Sequence, residues 1–241
     1  MNTLWLDLGN TRLKYWLTDP QGNILDHDAK LHLQAPAELL MGLADKFMRL
    51  NPQFIGVSSV LGQTINARIC QTLESTQIEF EFAKVCQHHP QLNSDYHPDQ
   101  LGTDRWLQMI GAVDKHKRQC VIGCGTAMTI DLIDKGRHLG GYIFPNARLQ
   151  RNALYAGTQQ IDVQVGDLAS TAPATNTSDA VNHGILLSIV GAINHTLHAY
   201  PDFEVIMTGG DAFAIAKHLD TSVEIEKNLL LTGLKKYFAK I

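Results

Sequence analysis

Apolar and polar residues alternate over residues 4–17, on both sides of a Gly9-Asn10 pair. Period-two alternation interrupted by Gly-Asn predicts a strand, a tight turn and a second strand. The same shape returns over residues 121–133, with Gly125 at its turn. Gly9 and Gly125 stand about half the chain apart, a spacing too long for a solenoid repeat and suited to duplicated domains. We draw the division at 1–115 and 116–241.

Elsewhere the period changes to that of a helix. Pro36 opens an amphipathic run with Leu39, Leu40, Leu43, Phe47 and Leu50 on one face. Residues 54–60 read as a buried strand. Thr103 is suited to cap a helix carrying Leu107, Ile110 and Val113, and Ser178 a longer one through Ile185, Ile189, Ile193 and Leu197. Residues 204–208 read as a strand that Gly209-Gly210 turns into a helix over 211–219. Residues 169–179, rich in Ser, Thr, Ala and Pro, read as a loop. Hairpins mixed with crossover helices argue for an α/β protein.

Composition removes several classes of function. Apolar residues make up 44% of the chain, which supports a sizeable core and excludes a disordered chain. The net charge is −4, and no basic stripe marks a nucleic-acid surface. Residues 115–118, the one dense basic stretch, read as a solvated helix end. No run reaches the roughly 18 apolar residues of a membrane span. No signal peptide is expected, because a basic leader is missing and Asp7 interrupts the first apolar run. Cys70, Cys86, Cys120 and Cys124 are too scattered for a disulfide scaffold or a zinc site. They are expected to pack as small apolar residues in a reducing cytoplasm. His88 and His89 read as a surface pair, and His195 and His198 share a helix face without a third ligand. Trp5, Trp16 and Trp106 read as core residues.

Candidate chemistry lies in the turns. Gly123-Cys-Gly-Thr-Ala-Met128 suggests a dinucleotide fingerprint, but its third Gly is missing and a strand follows where a helix is needed. Two facing Gly-turned hairpins instead offer backbone N–H groups and hydroxyls to phosphate oxygens without a Walker lysine. Gly9, Asn10 and Thr11 form one such loop; Gly125, Thr126 and Ala127 form the other. Asp7, at a strand end, is a candidate ligand for magnesium or its waters. Gly102-Thr-Asp-Arg105 precedes a helix and offers a carboxylate base beside a guanidinium that would hold an acidic substrate. Each feature also has a plainer structural role as a turn or a helix start.

In combination these motifs resemble the type III pantothenate kinases, in the superfamily of actin and the sugar kinases. Asp7-Leu-Gly-Asn-Thr11 resembles the first phosphate motif D-x-G-N-T, and Gly102-Thr-Asp-Arg105 resembles G-x-D-R. Gly125-Thr-Ala-Met-Thr-Ile-Asp131 resembles G-T-A-x-T-x-D, and Gly140-Gly-Tyr-Ile-Phe-Pro145 resembles G-G-x-I-x-P. Asn176-Thr177 with Ala180 and Gly184 resembles N-T-x-x-A-x-x-x-G, and Thr208-Gly-Gly210 resembles an adenosine motif. The resemblance implies two duplicated ribonuclease-H-like (actin-like ATPase) domains, each a mixed sheet with flanking helices. It implies ATP-dependent phosphorylation of pantothenate to 4′-phosphopantothenate, the first step of coenzyme A synthesis.

The resemblance also implies roles for particular residues. Asp7, Leu8, Gly9, Asn10, Thr11, Arg12, Leu13 and Lys14 would line the ATP phosphates, with Asp7 at magnesium directly or through water. Thr126 would contact ATP from the second half. Asp104 would be the general base. Gly102, Thr103, Asp104 and Arg105 would form the pantothenate pocket, joined by Tyr96 and by Thr177 from the partner in a homodimer. A monovalent cation, potassium or ammonium, is expected for the family.

Three positions depart from the pattern. Gly123 stands where the family has an aspartate cation ligand, so no potassium ligand is assigned. Asp95 occupies the usual place of the substrate tyrosine, and Tyr96 follows one residue later. Asn146 replaces the Gly after Pro145, and its tolerance of left-handed backbone would preserve the turn. The residues alone leave two other readings open. One is a different small-molecule kinase of the same superfamily; the other is a nucleotide-binding regulator without turnover.

Overall fold

The computed structural model describes residues 1–157 and 168–239. Two compact units divide the chain. The first contains residues 1–87, 96–111 and the C-terminal helix; the second contains residues 88–95 and 112–228. The last helix groups with the unit in which the chain began.

The first unit opens with β1 (Thr3–Leu8), β2 (Arg12–Thr18) and β3 (Ile24–Leu31), followed by α1 (Pro36–Leu50), β4 (Phe54–Ser59), α2 (Gln63–Ser75) and β5 (Phe80–Phe82). Its sheet order is β3-β2-β1-β4-β5. The first three strands pair antiparallel, whereas β4 runs parallel to β1 and to β5. Alternation along β1 gives the sheet two apolar faces. Leu4, Leu6 and Leu8 join Leu40, Leu43, Phe47, Ile69 and Leu73 of α1 and α2. Trp5 and Trp16 face the other way, onto Leu107, Leu230, Leu231 and Leu234. All three tryptophans are buried, as expected.

The second unit repeats this arrangement. Its elements are β6 (Asn93–Ser94), β7 (Arg118–Cys124), β8 (Ala127–Asp134), β9 (Arg137–Pro145), α4 (Ala147–Gly157), α5 (Thr177–Ala199), β10 (Glu204–Gly209), α6 (Ala212–Ala216) and β11 (Val223–Ile225). The sheet order is β11-β10-β7-β8-β9-β6. Read from β9, it is the first sheet's order with one strand added, and the same pairs are antiparallel and parallel. Cys120, Ile122 and Cys124 of β7 pack with Met128, Ile130 and Leu132 of β8 against Ile185, Ile189 and Ile193 of α5. Burial pushes both the Cys120 and the Cys124 thiols up to about 12. They are core residues, as the sequence suggested. α3 (Thr103–Ala112) and α7 (Leu229–Phe238) complete the first unit.

Helix starts differ in detail from those expected. Thr103 is the first residue inside α3, and the Gly102 carbonyl accepts the first helical bond, from the Trp106 N–H. Val113 lies beyond the helix end. α5 is capped by Asn176, whose side chain accepts the Asp179 N–H, so Ser178 already lies in the first turn. α6 is shorter than the 211–219 run because it ends at Ala216. Residues 115–118 are exposed but form a turn and strand start, where Lys117 pairs with Glu204 and Arg118 with Asp134.

Candidate active site

Side-chain alternation decides what Asp7 meets. Asp7 lies two residues after Trp5 on β1 and shares its face of the sheet, the face that carries α3 through Leu107. Asp104 is one turn before Leu107 on α3. The two carboxylates are consequently near enough for the charge of Asp7 to act on Asp104. Asp7 is buried and pairs with Lys14 on the adjacent strand, Nζ to Oδ2 3.3 Å. Burial pushes the Asp7 carboxyl above its ordinary value, and the Lys14 ammonium opposes that rise. Burial also raises the Asp104 carboxyl, with the charge of Asp7 adding to the effect.

Asp104 is held by its own helix. Its Oδ1 accepts the Arg105 N–H at 2.8 Å, using an N–H that the first turn leaves without a helical partner. Gly102 makes room for this carboxylate, because a Cβ there would lie 2.6 Å from Asp104 Oδ1. Arg105 is buried and its guanidinium carbon sits 5.6 Å from the centroid of the Tyr96 ring. Asp95, in the usual tyrosine place, is exposed and paired with Arg137 at 2.7 Å. Tyr96 is thus the residue beside Arg105.

The first Gly-turned loop spans Gly9, Asn10 and Thr11 between β1 and β2, closed by the Gly9 N–H donating to the Arg12 carbonyl at 3.0 Å. Leu8 and Leu13 point into the core, so they can offer a ligand only backbone groups. Asn10 and Arg12 are exposed. The second loop, Gly125-Thr126, is one residue shorter and closes through the Gly125 N–H and the Ala127 carbonyl at 3.2 Å. Thr126 is half-buried at its tip. Gly123 is buried on β7 between Thr129 and Thr208 of the neighbouring strands. Among the described residues, no group of three His, Cys, Asp or Glu side chains is arranged to hold a metal. Asp7 nevertheless fits magnesium as a buried oxygen donor with Lys14 as its cationic neighbour.

Thr177 is the exposed first residue of α5, in a groove of about 690 Å³ with Gln150, Leu154, Val181 and Ile185. Asn146 does not use left-handed backbone. Its Oδ1 accepts the Leu149 N–H to cap α4, and its Nδ2 donates to the Gly125 carbonyl at 2.8 Å. His32, which carried no motif, donates from Nε2 to the Gly9 carbonyl at 3.0 Å. Its distance from Gly9 in sequence hid that role. Asp131 accepts from His138 Nε2 at 3.0 Å, and Ser94 donates to His138 Nδ1 at 2.9 Å. All three side chains are buried; they fasten β6 and β9 to β8 and offer no exposed nucleophile.

A duplicated mixed sheet with a Gly-turned loop after its first strand is the actin-like fold that sugar kinases share. A ROK hexokinase of Thermus thermophilus has the same fold, with TM-score 0.50, 14% identity and 98% of each chain covered. So does a Sinorhizobium meliloti protein assigned as a 2-dehydro-3-deoxygalactonokinase, with TM-score 0.65, 12% identity, and 98% of this chain and 97% of that one covered. The family model of type III pantothenate kinase matches residues 3–199. The type III pantothenate kinase of Psychrobacter arcticus is 60% identical over 98% of this chain and 97% of its own. The chain belongs to the type III pantothenate kinase family.

Proposed function

We propose that the protein phosphorylates pantothenate at the expense of ATP, giving 4′-phosphopantothenate in the first step of coenzyme A synthesis, with Asp104 as general base. The observation that carries this reading is the Asp104 carboxylate, fixed at the start of α3 by the Arg105 N–H and within electrostatic reach of Asp7. Phosphoryl transfer needs an oriented hydroxyl and neutralised phosphate oxygens more than covalent help from the protein. Asp104 orients the substrate hydroxyl and takes its proton. Arg105 holds the pantothenate carboxylate, with Gly102, Thr103 and Tyr96 completing the pocket. Asp7 holds magnesium, directly or through water, and the metal neutralises phosphate charge when bound. Backbone groups of residues 8–13 with Lys14, and Thr126 from the second loop, receive ATP.

The enzyme works as a homodimer in the cytoplasm, where ATP is held, with Thr177 of each protomer reaching the other's pantothenate. Exposed apolar residues on α4 and α5, Leu154, Tyr155 and Leu187, support that assembly. A monovalent cation, potassium or ammonium, assists turnover through ligands other than a carboxylate at position 123. The test is ADP release from magnesium and ATP, with and without pantothenate, in sodium, potassium and ammonium buffers. Release that depends on pantothenate is expected, and only in potassium or ammonium. Equal release in all three buffers would remove the cation. ATP binding with no release in any buffer would leave a nucleotide-binding regulator.

A further inference from the structure

Each phosphate loop is tied down by one side chain from outside its hairpin, and both ties go to the same atom of the loop. In the first unit, His32 follows β3 and sends Nε2 to the Gly9 carbonyl at 3.0 Å. In the second, Asn146 follows β9 and sends Nδ2 to the Gly125 carbonyl at 2.8 Å. Gly9 and Gly125 are the glycines that align the two hairpins. A carbonyl oxygen only accepts, so Nε2 of His32 carries the proton. We propose that His32 and Asn146 are paired positioning residues that set the peptide planes of the two loops for phosphate binding. The proposal rests on the reading of these loops as ATP phosphate sites.

The physical link is peptide planarity. In a trans peptide the carbonyl and the following N–H point in opposite directions within one plane. Holding the Gly9 carbonyl toward His32 turns the Asn10 N–H away from it, and holding the Gly125 carbonyl toward Asn146 does the same for the Thr126 N–H. Glycine resists such rotation least, because it lacks a Cβ, so a glycine loop needs an external tie to present a fixed donor. Preorganised donors bind an anion better than donors that must reorient.

Burial sets the cost of these ties. His32 is 5% exposed, and its Nδ1 is buried without a hydrogen-bond partner among the described residues. An apolar residue would fill the same space without that unsatisfied atom. The His32 N–H also donates to the Thr11 carbonyl at 3.2 Å, so one residue grips both ends of the loop. Asn146 is 7% exposed and divides its amide between two tasks, with Oδ1 capping α4 and Nδ2 holding the loop.

That division allows a clean test. Asn146→Asp keeps the capping oxygen and loses the donor to Gly125. His32→Gln keeps a donor at the Nε2 position, and His32→Leu removes it. Dissociation constants for ATP and ADP with magnesium are measured by calorimetry without pantothenate, and steady-state KM values are measured for both substrates. Asn146→Asp and His32→Leu are each expected to weaken nucleotide binding about tenfold, the worth of one well-placed hydrogen bond. The pantothenate KM stays within about twofold in both, and His32→Gln recovers nucleotide affinity. Folded Asn146→Asp protein with unchanged nucleotide affinity would overturn the proposal, as would His32→Gln as damaging as His32→Leu. Should His32→Leu fail to fold, Asn146→Asp and the comparison of His32→Gln with the parent decide. Failure of the parent itself to bind nucleotide is a separate outcome, and it overturns the phosphate-loop reading underneath.

Discussion

At the scale of single residues, the proposed chemistry rests on Asp7 and Asp104, two carboxylates that burial makes reluctant to ionise. Asp104→Asn keeps the shape and removes the base, so turnover should fall by about 10²-fold or more; near-normal turnover would remove Asp104 from that role. The pH dependence follows from the direction of the shift. Burial and the charge of Asp7 raise the Asp104 carboxyl above 3.8, and a base works only when ionised. The acid limb of kcat/KM should therefore lie above the ordinary carboxylate value, and a limb at or below it would contradict the assignment. Stability has the opposite sign. A carboxyl raised in the native state takes up its proton more readily there than when unfolded, so native stability is lost as pH rises through the raised value. Asp104→Asn should melt at a higher temperature than the parent at neutral pH, and melting curves at pH 7 would show it. A lower melting temperature would mean that the carboxylate is stabilising in the native state.

At the scale of elements, α3 owes its position to α7. A Cβ on Gly233 would collide with the Leu107 carbonyl, and one on Gly111 with the Leu229 carbonyl. The two helices thus approach backbone to backbone through two glycines. Lys236 adds a hydrogen bond from Nζ to the Gly111 carbonyl at 2.7 Å, satisfying the C-terminal end of α3. Gly233→Val should push α3 away and destabilise the protein by about 1–3 kcal/mol, as overpacking usually does. Turnover should fall as well, since Asp104 rides on α3. Chemical denaturation and a turnover assay on the same preparation check both. Unchanged turnover in a destabilised variant would separate the helix contact from the site. Gly209 is under a similar constraint, because its φ is +106° and a Cβ would strike the Cys124 carbonyl. That contact gives the Gly209-Gly210 pair a structural reason independent of any adenosine.

At the scale of the whole molecule, the proposed homodimer would use the outward apolar residues of α4 and α5. Leu187→Asp should convert a dimer to monomers in sedimentation and lower pantothenate turnover, while nucleotide binding persists. A dimer that survives the substitution would place its interface elsewhere. Much of this molecule was legible in the sequence. Both hairpins, α1, α5 and the core tryptophans follow from local periodicity, and a period of two or 3.6 is written directly into residue order. The Gly-turned and G-x-D-R runs were legible because each is short and contiguous. Other elements left little local signal. β3 is an edge strand with no buried position, and β11 is only three residues long. The return of α7 to the first unit is a long-range packing choice that no window of sequence contains. The electrostatic coupling of Asp7 to Asp104, and the meeting of His32 with Gly9, belong to the same class. The sequence by itself determined which residues alternate, turn and cap, because those depend on neighbours a few positions away. Only the tertiary structure decided which carboxylates share a face and which side chain holds each glycine carbonyl, because those depend on how sheets and helices pack.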